Sequence, residues 1–200
     1  MEHRVRYGDQ EIPCQIPEGC RFAEIEPRTV RPAPDAEAEV ARALREEIGV
    51  TLASLAAPGK RVCIICDDIT RPTPTAIILP VLLGRLYELG INKEAIYFVF
   101  ALGSHRRMTP GEVERKLGAQ IAGAFPVYQS SFADPSELTD LGVTQDGATI
   151  HVYRRVMESD LRIGIGNIVP HNTLGWSGGS KILFPGVTSE ETVCQFHMRA

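Results

Sequence analysis

The stretch KRVCIICDD, residues 60–68, decides the fold. Val62 to Cys66 is an unbroken apolar run, short, rich in β-branched residues and closed at once by two acids. That pattern belongs to a strand covered on both faces, as in a parallel sheet, rather than to one with a wet face. The flanking segments continue it. PTAIILPVLLGRLYELG (74–90) is a helical run with an expected kink or restart at Pro80, and AIYFVFALGSH (95–105) is a second apolar strand ending in polar residues. TPGEVERKLG (109–118) predicts a helix that starts at Thr109 or Pro110 and stops at Gly118, and AFPVYQSS (124–131) a third strand. ATIHVYRRV (148–156) is hairpin-like, and LRIGIGNIV (161–169) is a further buried strand. Strands alternating with helices predict an α/β fold, a largely parallel sheet flanked by helices.

Upstream, RVRYGDQEIPCQIP (4–17) alternates around Gly8-Asp9 and predicts a small N-terminal β-hairpin. EPRTVRPAPDAE (26–37) is a proline-rich connection into a helix over about 35–48 that ends at Gly49. Residues 1–30 therefore read as hairpin and linker, and 31–200 as the α/β core. At the other end, TSEETVCQFHMRA (188–200) has the Thr188/Glu191 spacing of a capping box and starts a helix. No Gly, Asn or Pro closes that helix before Ala200, so the chain is expected to be part of a longer protein.

Composition narrows the partners. With 23% charged residues, a net charge of −4 and no block of Lys or Arg, the chain suits neither nucleic acid nor an anionic membrane. No run approaches the roughly 18 apolar residues that span a bilayer, and the polar start lacks the apolar stretch of a signal peptide, so a cytoplasmic location is expected. Cys63 and Cys66 form a CxxC, but three residues apart on a strand they point to opposite faces. They read as core cysteines rather than as a metal or redox pair.

In open α/β sheets, ligands gather beyond the carboxyl ends of the strands, and there the polar motifs fall. DDITRPTP (67–74) ends the first strand, GSHRRMT (103–109) the second and PHNTLGWSGGSK (170–181) follows the last. Arg71 offers a planar fork for a carboxylate, and Pro72 and Pro74 stiffen its exit; an Asp-Arg turn pair capping the next helix is the alternative. Gly175, Gly178 and Gly179 allow close backbone approach, so the amides of this loop could cradle a phosphate with Ser180 and Lys181 assisting. A tight turn with a solvated lysine is the other reading. The loop is not a Walker motif, since Gly does not directly precede Lys-Ser or Lys-Thr. His105 and His171 both follow strand ends and could exchange protons at neutral pH from the two faces of one substrate, as inversion at a hydrogen-bearing carbon requires. His197, on the terminal helix, is a candidate metal ligand. The three histidines with Asp68 could alternatively form a zinc site, and any of them could be structural.

DDITRPTP, ALGSHRRMT, LRIGIGNIVPH, GWSGGSKILFPGV and the histidine of CQFHMRA, in this order over about residues 60–200, together resemble the nickel-dependent lactate racemase family. The resemblance implies a racemase or epimerase of 2-hydroxy acids, working by hydride transfer to and from a nickel-pincer nucleotide (a pyridinium-3,5-bisthiocarboxylic acid mononucleotide that grips nickel). On that pattern His105 and His171 match the paired acid/base histidines, Arg71 the substrate-carboxylate arginine and Asp68 an active-site acid beside it. Lys181 matches the lysine that can attach to the cofactor through a thioamide, His197 matches a nickel ligand, and Gly178, Gly179 and Ser180 would hold the cofactor phosphate. The resemblance also implies two kinds of partner: a C-terminal domain of the same protein that closes over the site, and the cofactor-synthesis proteins. Two other classes stay open at this point, a zinc-dependent hydrolase built on the three histidines and a non-catalytic nucleotide- or phosphate-binding module.

Overall fold

A computed structural model describes residues 2–7, 9–23, 25, 28–171 and 175–198. It divides the chain into two compact units, Met1–Pro34 and Asp35–Ala200. The first contains the hairpin expected from the alternating pattern: β1 (Glu2–Tyr7) pairs antiparallel with β2 (Gln10–Gln15), with Tyr7 opposite Gln10. Gly8, placed by the sequence at its turn, lies outside the described residues, as do Asn172 to Leu174 of the glycine-rich segment and the last two residues of the chain.

The second unit is built on β3 (Val62–Asp67), every residue of which is buried. Around it lie β4 (Ile96–Ala101), β5 (Val127–Gln129) and β8 (Leu161–Ile165), all parallel, in the order β5-β4-β3-β8. Period-two alternation sorts β3 between two cores. Val62, Ile64 and Cys66 join Phe98 and Phe100 against Leu79, Leu82, Leu83 and Leu86 of α3 (Thr75–Glu88). Cys63 and Ile65 join Tyr97 and Val99 in a second cluster with Val152, Val156 and Val187. The two cysteines of the CxxC therefore sit on opposite faces, as the strand geometry requires. Each such fully buried aliphatic or aromatic side chain contributes roughly 1.5–3 kcal/mol, which makes this sheet the rigid base of the molecule.

Helices cover one face: α3, α4 (Pro110–Leu117) and α5 (Ala119–Ala124) follow α1 (Ala36–Ala43) and the short α2 (Leu52–Leu55). Residues 182–187, the antiparallel pair β6 (Leu138–Val143) and β7 (Thr149–Tyr153), and α6 (Arg154–Met157) belong with the other face. The hairpin expected within 148–156 is thus one arm of a longer one, and its last residues turn helical at Arg154. The strands β9 (Pro170–His171) and β10 (Gly175–Trp176) pair antiparallel after β8, and α7 (Glu190–Met198) ends the described chain. No helix among the described residues is long and apolar enough to cross a membrane.

Three local readings change. α1 ends at Ala43, well short of residue 48, because helix extension depends on burying an apolar face and Ile48 is 100% exposed. α3 continues as one helix through Pro80 without the restart, since four leucines packed on the core outweigh the single backbone bond that proline removes. Ser189, not Thr188, caps α7: its Oγ accepts from the Thr192 amide at 3.2 Å, while the Thr188 hydroxyl donates to the Pro185 carbonyl.

Candidate active site

The first strand loop sets the geometry. Asp67 and Asp68 are successive residues at the end of β3 and are both buried, so their carboxylates need partners. Asp68 Oδ1 accepts from the Thr70 amide at 3.0 Å and its hydroxyl at 2.6 Å, which closes a turn completed by Arg71 N donating to Asp68 O. The other oxygen, Oδ2, lies 2.6 Å from His105 Nδ1. A carboxylate on Nδ1 fixes the ring's orientation and its tautomer, with the proton on Nδ1 in the neutral form and Nε2 left for chemistry.

His105 reaches this position from the end of β4, where a turn joins His105 N to Leu102 O at 2.8 Å and Gly103 N donates to Gly186 O at 2.9 Å. The third strand loop, after β8, brings His171 on β9. Its ring stacks on that of His197, with 6.4 Å between centroids and 6° between planes. His197 is delivered by α7, which is latched to β7: the Thr192 hydroxyl donates to Thr149 O at 2.9 Å and Gln195 Oε1 accepts from Thr149 N at 2.8 Å.

The glycine loop forms a tight helical turn over Gly179–Ile182. Gly178 precedes it at φ +85°, and a β-carbon there would lie 2.7 Å from Asn167 O, so only glycine fits against the end of β8. Ser177 Oγ ties the same carbonyl at 3.0 Å. The turn aims Lys181 inward, and its Nζ is buried without a hydrogen-bond partner among the described residues. Burial, then the nearby Arg71 guanidinium, holds the Lys181 amine below the ordinary lysine pKa. Burial and the charges of Lys181, Arg71 and His197 likewise lower His171.

These groups open onto one cleft of ≈ 130 Å³ at the carboxyl ends of β3, β4 and β8. Asp68, Arg71, His105, His171, Gly178, Lys181 and His197 all line it; Gly179 and Ser180 are exposed members of the turn that do not. Asn167, which the sequence did not mark, also lines it, as does Ser177, expected only as part of the amide loop. Only a polar residue at a strand end and a small hydroxyl beside the glycines hinted at them. His151 stays outside, between Asp140 and Glu191 at 3.7 and 3.9 Å. Among the described residues no three His, Cys, Asp or Glu side chains gather to hold a metal ion. A zinc centre made by the three histidines with Asp68 is therefore not formed. What the cleft offers is a cationic wall, one amine held toward its neutral form, and imidazoles able to move protons.

Residues 7–200 match the family model described as the lactate racemase N-terminal domain. A lactate racemase of Thermoanaerobacterium thermosaccharolyticum is 35% identical over 162 residues, and one of Lactiplantibacillus plantarum 33% over 159. Each match takes in 79% of this chain and 37% of the relative. The structure of the lactate racemase apoprotein from T. thermosaccharolyticum superposes with a TM-score of 0.79 at 29% identity, over 96% of this chain and 45% of that one. A protein of Thermotoga maritima gives 0.68 at 25% identity, over 86% and 43%. The chain thus spans less than half the length of the relatives it matches.

Proposed function

The chain belongs to the lactate racemase N-terminal domain family, and from that premise we propose that it forms the cofactor-binding, acid–base half of a 2-hydroxy acid racemase or epimerase. One observation carries this reading: a buried amine with no hydrogen-bond partner among the described residues faces the same cleft as Arg71, His105, His171 and His197. An amine so placed, with a lowered pKa, suits covalent capture of a ligand. The residues fit a nickel-pincer nucleotide. Lys181 would form the thioamide link, His197 would give nickel one imidazole, and the remaining donors would come from the nucleotide itself, since the described residues gather no set of three. The Gly178 to Lys181 turn would receive the phosphate.

Bound there, the nucleotide would supply a reversible hydride acceptor for the substrate C2. The protein's own residues do the rest. Arg71 holds the substrate carboxylate. For one enantiomer His105, oriented by Asp68, takes the hydroxyl proton as C2 loses its hydrogen, leaving a planar 2-keto acid; for the other, His171 does so from the opposite face. Return of the hydrogen to the other face of C2, with the second histidine as the proton donor, would give the opposite enantiomer. A placed histidine contributes typically about 10²–10⁴-fold. The remaining length of the relatives we assign to a second domain that closes the cleft against water, and the setting to the cytoplasm, where five unpaired cysteines stay reduced.

Expression of the full-length protein alongside cofactor-synthesis proteins tests this. Near-stoichiometric nickel, a mass increment lost in Lys181→Ala, nickel lost in His197→Ala, and racemisation of a 2-hydroxy acid are expected. Nickel and activity without the increment would remove the covalent link alone. Zinc in place of nickel, with no racemisation, would overturn the function.

A further inference from the structure

We propose that Lys116 is a positioning residue for Arg71, gripping the 67–74 segment from its buried side through the Asp67 carboxylate and two main-chain carbonyls. The inference rests on the racemase reading for what Arg71 binds, but not for the grip itself. Lysine is almost never fully buried unless paired, yet Lys116 is 5% exposed. It sits in the last turn of α4, where a surface lysine would serve the helix dipole equally well from solvent. Instead the side chain runs inward to the loop that carries Arg71.

Its Nζ has three donors and meets three oxygens. Arg71 O lies at 2.7 Å, Thr73 O at 3.4 Å and Asp67 Oδ1 at 2.7 Å. The contact with Asp67 is an ion pair rather than an aligned hydrogen bond, since Oδ1 has no hydrogen-bond partner among the described residues. Oδ2 of Asp67 accepts from the Thr73 hydroxyl. Pro72 and Pro74 flank Thr73 and have no N–H, so this segment has few amides with which to tie itself down. Fixing its carbonyls from outside is the remaining way to hold it. On the cleft side, Arg71 Nη1 donates to Thr70 Oγ1 at 3.2 Å, and Thr70 is in turn held by Asp68. The guanidinium is thus steered by Thr70 while its main chain is anchored by Lys116. The two acids divide the work: Asp68 serves the imidazole of His105, and Asp67 binds the cation that sets the loop.

A purely structural ion pair would predict lost stability and no change specific to substrate binding. Lys116→Met alone leaves Asp67 an uncompensated buried charge, whereas replacing both partners is often nearly neutral. The test therefore compares D67N/K116M with D67N in loaded full-length enzyme. Losing the grip is expected to raise the KM for the 2-hydroxy acid by about tenfold while kcat per bound nickel changes less than about threefold. The same change made on an Arg71→Ala background should leave KM unaltered. An unchanged KM in the first case, or a further rise on that background, overturns the proposal. A second readout needs no activity: amide exchange at Thr70, Arg71 and Thr73 should quicken by about tenfold, with the amides of β3 and β4 unaffected. Equal exchange overturns the grip even where the enzyme racemises well, and an inactive wild type with quickened exchange would fault the racemase reading alone.

Discussion

Asp68 shows what one residue decides. In the sequence it is an acid at a strand end, equally able to cap a helix or to help hold a metal; in the fold its two oxygens serve Thr70 and His105 separately. Long-range spacing could not reveal this, because the ring it orients comes from another strand. On the proposed roles, Asp68→Asn is predicted to lower kcat by roughly 10²-fold, since His105 loses its orientation for proton transfer, with little change in KM while Arg71 would still hold the carboxylate. Steady-state kinetics in both directions check it. Glu112 makes a different kind of statement. The Arg106 guanidinium, then the Thr109 amide, hold its pKa down to about 2 against a usual 4.5. A carboxylate depressed in the folded state contributes stability that is complete above its unfolded pKa and lost as pH falls through the folded one. The stability difference between wild type and Glu112→Gln should therefore be constant above about pH 5 and should shrink steadily toward pH 2, as urea titrations at several pH values would show.

Elements were legible where burial and punctuation agreed. The apolar run at 62–66 lies in a buried parallel strand, and Thr109, Pro110 and Gly118 bound α4 with a complete capping box, as their types require. Legibility failed where tertiary packing overrode local signals, at Pro80 within α3 and at Ile48 beyond α1. The shift of the α7 cap by one residue has the same origin: Thr188 is drawn into a bond with Pro185, and Ser189 takes the role. Strand alternation also makes a chemical prediction. Burial pushes the Cys63 thiol up to about 12 and raises that of Cys66 further, while Cys14, Cys20 and Cys194 are exposed. An alkylating reagent at pH 8 should label those three in the native protein and reach Cys63 and Cys66 only after unfolding. Native labelling of either strand cysteine, read by peptide mass, would contradict the doubly covered sheet.

For the whole molecule, topology does what no motif could. The chain leaves β3 toward β4 and β5, and later adds β8 on the other side of β3. Loops distant in sequence thereby meet at adjacent carboxyl ends, the usual place for a ligand in such sheets. The residue types were readable as candidates; their convergence was a property of strand order and of the latch between α7 and β7. The chain spans less than half the length of the matched relatives, and the second domain is part of the proposal. The most direct measurement follows the hydrogen at C2. Loaded full-length enzyme is given a 2-hydroxy acid deuterated at C2 in ordinary water, and the enantiomer formed is analysed for deuterium. Retention of the label is predicted, because in the proposed reaction that hydrogen leaves and returns as hydride while His105 and His171 handle only the hydroxyl proton. Loss of the label to solvent would mean that a base removes the C2 hydrogen as a proton, and would contradict the account.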